Sequence, residues 1–156
     1  MSRIRFWRTA FFIASLATVS SACHAQLDDA FRRAVSWKHK LVAAGDQFEL
    51  RFEGEIKPGY IVYSVVPPEG QGNLPTTVDF PKRKGFEPVG QLREAGEPKT
   101  KYDDVFETDL RFFEKNVTFL QTVKRTGKEP IVAVLRHQVC DDEGRCVLMT
   151  PEFKFD

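Results

Sequence analysis

Apolar side chains in this chain return at every second position more often than at every third or fourth, and that period commits most of it to β-strands. Phe48, Leu50 and Phe52 alternate with Glu49, Arg51 and Glu53. Val117, Phe119, Gln121 and Val123 alternate with Thr118, Leu120, Thr122 and Lys124. A strand written this way offers one face to a core and the other to solvent. The same reading places strands at Val35 to Ala43, Tyr60 to Val65, Thr76 to Phe80, Thr108 to Phe113, Ile131 to Val139, Cys146 to Met149 and Phe153 to Phe155. Turn signals separate them at Ala44-Gly45-Asp46, Pro58-Gly59, the run from Pro67 to Gly70, Lys84-Gly85, Thr126-Gly127 and Glu143-Gly144. Many short strands at such spacing predict an all-β domain, an immunoglobulin-like β-sandwich. Only Leu27 to Ala34 reads as helical, a short lead-in expected to fray.

The first residues read differently. Arg3, Arg5 and Arg8 precede a mostly apolar run from Ala10 to Val19, which ends in the small residues Ser20, Ser21, Ala22, Cys23 and Ala25. This is the pattern of a secretory signal peptide over residues 1–25, leaving residues 26–156 as the exported domain. The apolar run falls short of the roughly 20 residues that cross a bilayer, so no membrane span is expected. A lipoprotein signal would instead be cut before Cys23 and acylate it, but Ser20 stands where such signals carry Leu. The 23 Lys and Arg against 22 Asp and Glu give a net charge of +1, and cleavage brings it to −2 by removing Arg3, Arg5 and Arg8. Neither value suits a polyanion, so no nucleic-acid partner is expected. The 14 Phe and 42% apolar content argue for a packed core rather than disorder.

Without Cys23 the cysteines are an even pair, Cys140 and Cys146, in a chain expected to meet oxidising conditions. The strand from Ile131 runs on to Cys140, Asp141 to Arg145 form a turn in which Gly144 can take positive φ, and the chain returns from Cys146. The two sulfurs therefore face each other across the mouth of one hairpin. Spacing alone leaves three readings open. A structural bridge closing a loop of about seven residues would contribute about 2 kcal/mol at most. A bridge that does so little for the fold also has the profile of a labile, exchange-active disulfide. A metal site with His137 would leave tetrahedral zinc one ligand short. Asp141, Asp142 and Glu143, against the single Arg145, should disfavour a thiolate, so attack would depend on a docked partner. Elsewhere Phe106, near Phe112 and Phe113, reads as core more readily than surface, Asp103-Asp104 as a turn, and His39 as a solvated strand residue.

The segment from Val139 to Cys146, followed by Pro151 and an apolar last strand, resembles the paired-cysteine hairpin in the periplasmic N-terminal domain of the thiol:disulfide interchange protein DsbD. Ile56 to Ser64 resembles that family's Gly-Tyr-x-x-Tyr strand, Gly72 to Pro81 the segment that follows it in single-domain relatives, and Tyr102 to Glu107 its Asp-x-Phe cap loop. Together these cover the chain from about residue 34 to its end.

The resemblance implies an immunoglobulin-like sandwich acting as a protein-disulfide reductase type of thiol-disulfide oxidoreductase. Cys146 would form the mixed disulfide and Cys140 resolve it. Phe106 and Asp104 would belong to a cap over the sulfurs, and Tyr60 and Tyr63 would flank the site. It further implies a periplasmic monomer with no metal or organic cofactor, which takes electrons from a thioredoxin-like donor on another polypeptide and passes them to oxidised exported proteins. The alternative is a non-enzymatic exported binding module with a structural hairpin disulfide. Mass spectrometry of the exported protein is expected to show a chain starting at Gln26 without an acyl group, and a diacylglycerol mass on Cys23 would overturn the plain-signal reading.

Overall fold

The computed structural model describes residues 29–70, 72–104 and 107–156, and in it the alternating segments pair as antiparallel strands. The first sheet has the order β1 (Val35–Ala44), β2 (Gln47–Ile56), β8 (Asn116–Arg125), β5 (Phe86–Ala95). Its inner face follows directly from the sequence alternation. Phe52 lies opposite Phe119 and Leu50 opposite Gln121, and directly opposed residues point to the same side of a sheet. Phe52, Phe119 and Leu50 are fully buried, and Phe52 meets the rings of Phe153 and Phe155 edge-on at 5.2 and 5.4 Å. Gln121 is the polar exception on this face. Its Nε2 donates to the carbonyls of Val89 at 3.1 Å and Thr122 at 2.9 Å, as burial of an amide requires.

The second sheet runs β10 (Cys146–Met149), β9 (Ile131–Asp141), β3 (Tyr60–Tyr63), β7 (Thr108–Phe113), β6 (Lys99–Asp103), with β4 (Thr77–Asp79) and β11 (Glu152–Phe155) also on β9. β10 and β11 lie end to end along one edge of β9 in a single register, from Cys146 opposite Cys140 to Phe155 opposite Ile131. Pro151 interrupts this edge without ending it. It has no N–H to give, but its carbonyl accepts from Leu135 N at 3.1 Å. β3 and β4 share the other edge of β9. The two sheets enclose one core of Phe, Val, Leu and Ile side chains, and the fold is an immunoglobulin-like β-sandwich.

Three expectations change. β5 and β6 are strands that the period-two reading passed over. In β5, Pro88 and Gly90 break the pattern, and the register against β8 shifts between Val89 and Arg93, where Gly90 takes a φ of 66°. β6 is a mostly exposed edge strand, so nothing selects for alternation there. The described part of the lead-in does not fray. It forms one helical turn over 29–32 whose Phe31 is 2% exposed and packs edge-on against Tyr60 at 5.6 Å, while Lys57 N donates to Ala34 O. His39 is exposed as expected, with Nε2 3.0 Å from Lys154 O and its ring beside Phe153 and Phe155.

Candidate functional site at the β9–β10 hairpin

Asp141 builds the turn that brings the cysteines together. Its backbone N donates to Arg145 O at 3.0 Å, and its carbonyl accepts from Gly144 N, with Gly144 at a φ of 79° that favours glycine. Its carboxylate accepts from Glu143 N at 3.0 Å, Arg145 N at 2.9 Å and Arg145 Nε at 2.7 Å, and Arg145 Nη2 stands 2.6 Å away. Burial works against that charge. The hydrogen bonds and charge of Arg145, with the Glu143 N–H, outweigh it and hold the carboxyl below its usual range. Arg145 also reaches Glu143 at 3.2 Å. Arg145 pairs with both Asp141 and Glu143, while Asp141 and Asp142 line the cavity that holds the two sulfurs, and Asp142 Oδ2 also lies beside the Pro58-Gly59 turn, 3.3 Å from where a Cβ on Gly59 would stand.

Because Asp141 and Arg145 form the hydrogen-bonded pair, Cys140 and Cys146 occupy the next, non-hydrogen-bonded pair, where side chains of opposed residues come closest. They form a disulfide across the strands, with Cα atoms 4.1 Å apart. The two sulfurs are in unlike surroundings. β9 is flanked on both sides, so Cys140 is 2% exposed and covered by Ile61, Tyr63, Leu110 and Phe112, whereas Cys146 begins the edge strand and is exposed. Both line a cavity of about 560 Å³ on the outer face of the sheet.

Alternation sorts the sequence-predicted residues between the two faces. Tyr63 lines the cavity beside Cys140, and burial, reinforced by the negative Asp103, pushes its phenol up, so it stays a neutral donor. Tyr60, three residues earlier, packs on Phe31 on the core side and does not line the cavity. Asp104 is exposed, in the β6–β7 connection that leaves from Asp103 on the cavity wall. Glu107 in that connection takes a left-handed φ of 52°. Phe106 lies outside the described residues, as do residues 1–25 and Cys23. His137 points into the core face, opposite to Cys140, where its ring meets Trp37 edge-on at 5.0 Å, so it and the cysteines do not converge on one ligand site. Gln138 was missed, although period two places it on the same face as Cys140, two residues away. Ile61, Leu110 and Phe112 were read only as strand residues.

These features define a class: an immunoglobulin-like domain with a disulfide across an edge hairpin, one sulfur covered and the other open. The chain belongs to the family of the N-terminal domain of the thiol:disulfide interchange protein DsbD, whose model matches residues 32–155. Among solved structures it is similar to the N-terminal periplasmic domain of ScsB from Proteus mirabilis, at 17% identity and a TM-score of 0.59 over 80% of this chain and 47% of that one. It thus spans about half of the ScsB chain, with which it shares the fold. It is also similar to the DsbD N-terminal domain of Neisseria meningitidis in the reduced form (22% identity, TM-score 0.48, 76% of this chain and 82% of that one). A further match is the DsbD N-terminal domain in the complex with the PilB N-terminal domain from the same organism (19% identity, TM-score 0.48, 76% and 80%). No curated protein matches the chain. Among the described residues, no helix is long and apolar enough to cross a membrane.

Burial lowers His137 to a pKa of about 4 from the 6.5 of a free imidazole, against the opposing contact with Leu135 O. The unfolded chain therefore takes up this proton first. The stability that neutral His137 allows is whole above pH 6.5 and falls as pH drops towards 4, by about 3 kcal/mol. Urea unfolding is expected to show a flatter stability curve between those two values for His137→Gln than for the wild type. Parallel curves would refute the assignment.

Proposed function

We propose that the chain is a periplasmic thiol-disulfide interchange module that passes reducing equivalents through Cys140 and Cys146. The observation that carries this reading is the disulfide with one sulfur open at the sheet edge and the other covered at the back of a cavity. In the first half-reaction a thiolate of a reduced thioredoxin-like donor attacks Cys146 Sγ. The Cys140–Cys146 bond breaks, a mixed disulfide forms, and Cys140 takes the electron pair and then a proton. The donor's second thiol resolves the mixed disulfide, so two electrons and two protons reach this chain and the donor is left oxidised. In the second half-reaction the Cys146 thiolate attacks the disulfide of an oxidised exported protein, and Cys140 resolves that intermediate. Electrons pass only between sulfur atoms, so the exchange calls for no metal or organic cofactor.

The cap belongs to the same reading. Asp104 and Phe106 lie in the connection that leaves β6 at the cavity wall, and an aromatic ring there would screen the sulfurs until a partner displaces it. The Gly-Tyr-x-x-Tyr strand contributes Tyr63 to the cavity and Tyr60 to the packing behind it.

Cys140→Ser, mixed with an oxidised partner, is expected to accumulate a mixed disulfide through Cys146, visible on a non-reducing gel, because the resolving thiol is gone. Trapping by Cys146→Ser alone would reverse the roles, and a reduction potential below about −300 mV would mark the bridge as structural. For the cap, Phe106→Ala is expected to speed alkylation of the reduced pair with little change in melting temperature. A loss of about 3 to 5 kcal/mol with unchanged alkylation would make Phe106 a core residue instead.

A further inference from the structure

The cavity that holds the two sulfurs also holds a buried polar atom with no partner. Asn73 lines this cavity together with Cys140 and Cys146, and its Oδ1 is closed to solvent and accepts no hydrogen bond. Its Nδ2 makes a long contact, 3.4 Å, with the carbonyl of the next residue, Leu74. Lys101, Tyr63 and Gln138 carry donors in the same lining, and none of them reaches Oδ1. A buried acceptor without a donor lowers the stability of the state that contains it, so such an atom calls for a reason.

The residues on either side of Asn73 fix where its carboxamide stands. A Cβ on Gly72 would be 3.3 Å from Leu110, which packs against Cys140. Leu74 N donates to Oε1 of Gln138 at 3.0 Å, and Gln138 precedes Cys140 by two residues on β9, on the same face. Asn73 is thus held between a side chain that covers Cys140 and one that neighbours it along the strand. Because Oδ1 is closed to solvent, its donor has to come from the protein itself. Neither sulfur of the disulfide carries a hydrogen. Reduction breaks the S–S bond and, with two electrons and two protons taken from a dithiol donor, places two S–H groups in this cavity. Cys146 Sγ already has an acceptor nearby, Gly144 O at 3.8 Å. Cys140 is the buried one of the pair, and once released from Cys146 its sulfur is free to turn towards the cavity wall.

We propose that Asn73 Oδ1 accepts the hydrogen of the Cys140 thiol in the reduced state, so that the cavity is fully paired as a dithiol and one hydrogen bond short as a disulfide. The proposal rests on the exchange reading and adds to it a residue that sets its equilibrium. The orphaned oxygen burdens the oxidised form alone, so Asn73 raises the reduction potential and favours uptake of electrons from the donor. A neutral amide oxygen accepts from a thiol and not from a thiolate, so it also keeps Cys140 protonated once that sulfur has left the bridge.

The test is the reduction potential of the full exported chain, equilibrated with mixtures of reduced and oxidised glutathione. Asn73→Leu, close to asparagine in size but without an acceptor, is expected to favour the disulfide about tenfold more than the wild type, a fall of about 30 mV. Asn73→Ala is expected to shift in the same direction, and Asn73→Asp, which keeps an acceptor oxygen, to stay at or above the wild-type potential. Infrared absorption by the S–H stretch gives a signature that a merely structural residue would not move. Hydrogen bonding lowers its frequency, so Asn73→Leu combined with Cys146→Ala is expected to absorb at higher frequency than Cys146→Ala alone. Unshifted potentials in both Asn73→Leu and Asn73→Ala, or an unchanged S–H band, would overturn the proposal. If glutathione reduces the wild-type bridge at no ratio, the exchange reading fails and the proposal with it. If the wild type equilibrates and the Asn73 variants match it, only the assignment of Asn73 fails.

Discussion

Hydrogen bonding along both edges of β9 is the constraint on which the rest of the site depends. β10 and β11 hold one edge and β3 and β4 the other, so the strand cannot slip by one residue without exchanging its two faces. Ile131, Ala133, Leu135, His137 and Val139 are thereby committed to the core, and Gln138 and Cys140 to the outer face. The same commitment sets Cys140 directly opposite Cys146 and beside Ile61. Packing fixes the register, and the register then places the chemistry.

This division leaves the disulfide free to open. It closes a loop with a sequence separation of only 6, so its effect on the unfolded chain is small, about 2 kcal/mol. The fold rests on the facing inner surfaces of the sheets, where Phe31, Phe52, Phe119 and Phe155 are almost wholly buried. The turn is also held independently of the sulfurs, because the Asp141 carboxylate binds two backbone N–H groups and the Arg145 side chain. A reduced hairpin is therefore expected to keep both its strand pairing and its turn, with the two thiols where the bridge would re-form.

The sandwich was legible in the sequence where burial is one-sided. Phe48 to Glu53 and Val117 to Lys124 had to alternate because one face of each strand meets the core, and they pair with each other as β2 and β8. β6 was not legible, since a strand exposed on both faces carries no hydrophobic period, and β5 was obscured by the bulge that contains Gly90. At the site, the cysteines and Tyr63 could be found from the hairpin and the family motifs. That Tyr60 and Tyr63 point to opposite faces follows from their odd spacing in one strand, but which of the two shares the face of Cys140 needed the register of β3 against β9. The hydrogen bond from Ser64, the residue after β3, to the Glu94 carboxylate on β5 was beyond any local reading, because it joins residues 30 positions apart and each alone is an ordinary polar residue.

The unlike burial of the two sulfurs would give the proposed exchange an order. A thiolate displacing one sulfur from another approaches along the S–S axis, from the side away from the leaving atom. Attack at Cys140 would have to come from the side of β3, where Ile61 is its register partner, and Cys140 is only 2% exposed and packed among Ile61, Tyr63, Leu110 and Phe112. For attack at Cys146 the approach comes from the open side of an edge strand, and the sulfur that leaves is the covered one. In the proposed exchange Cys140 would then remain in its own pocket, held by a strand bonded on both edges, while Cys146 carried the partner. The resolving thiol would still be in place when the partner is released. That order of steps would follow from which cysteine lies on the inner strand of the hairpin and which on its edge.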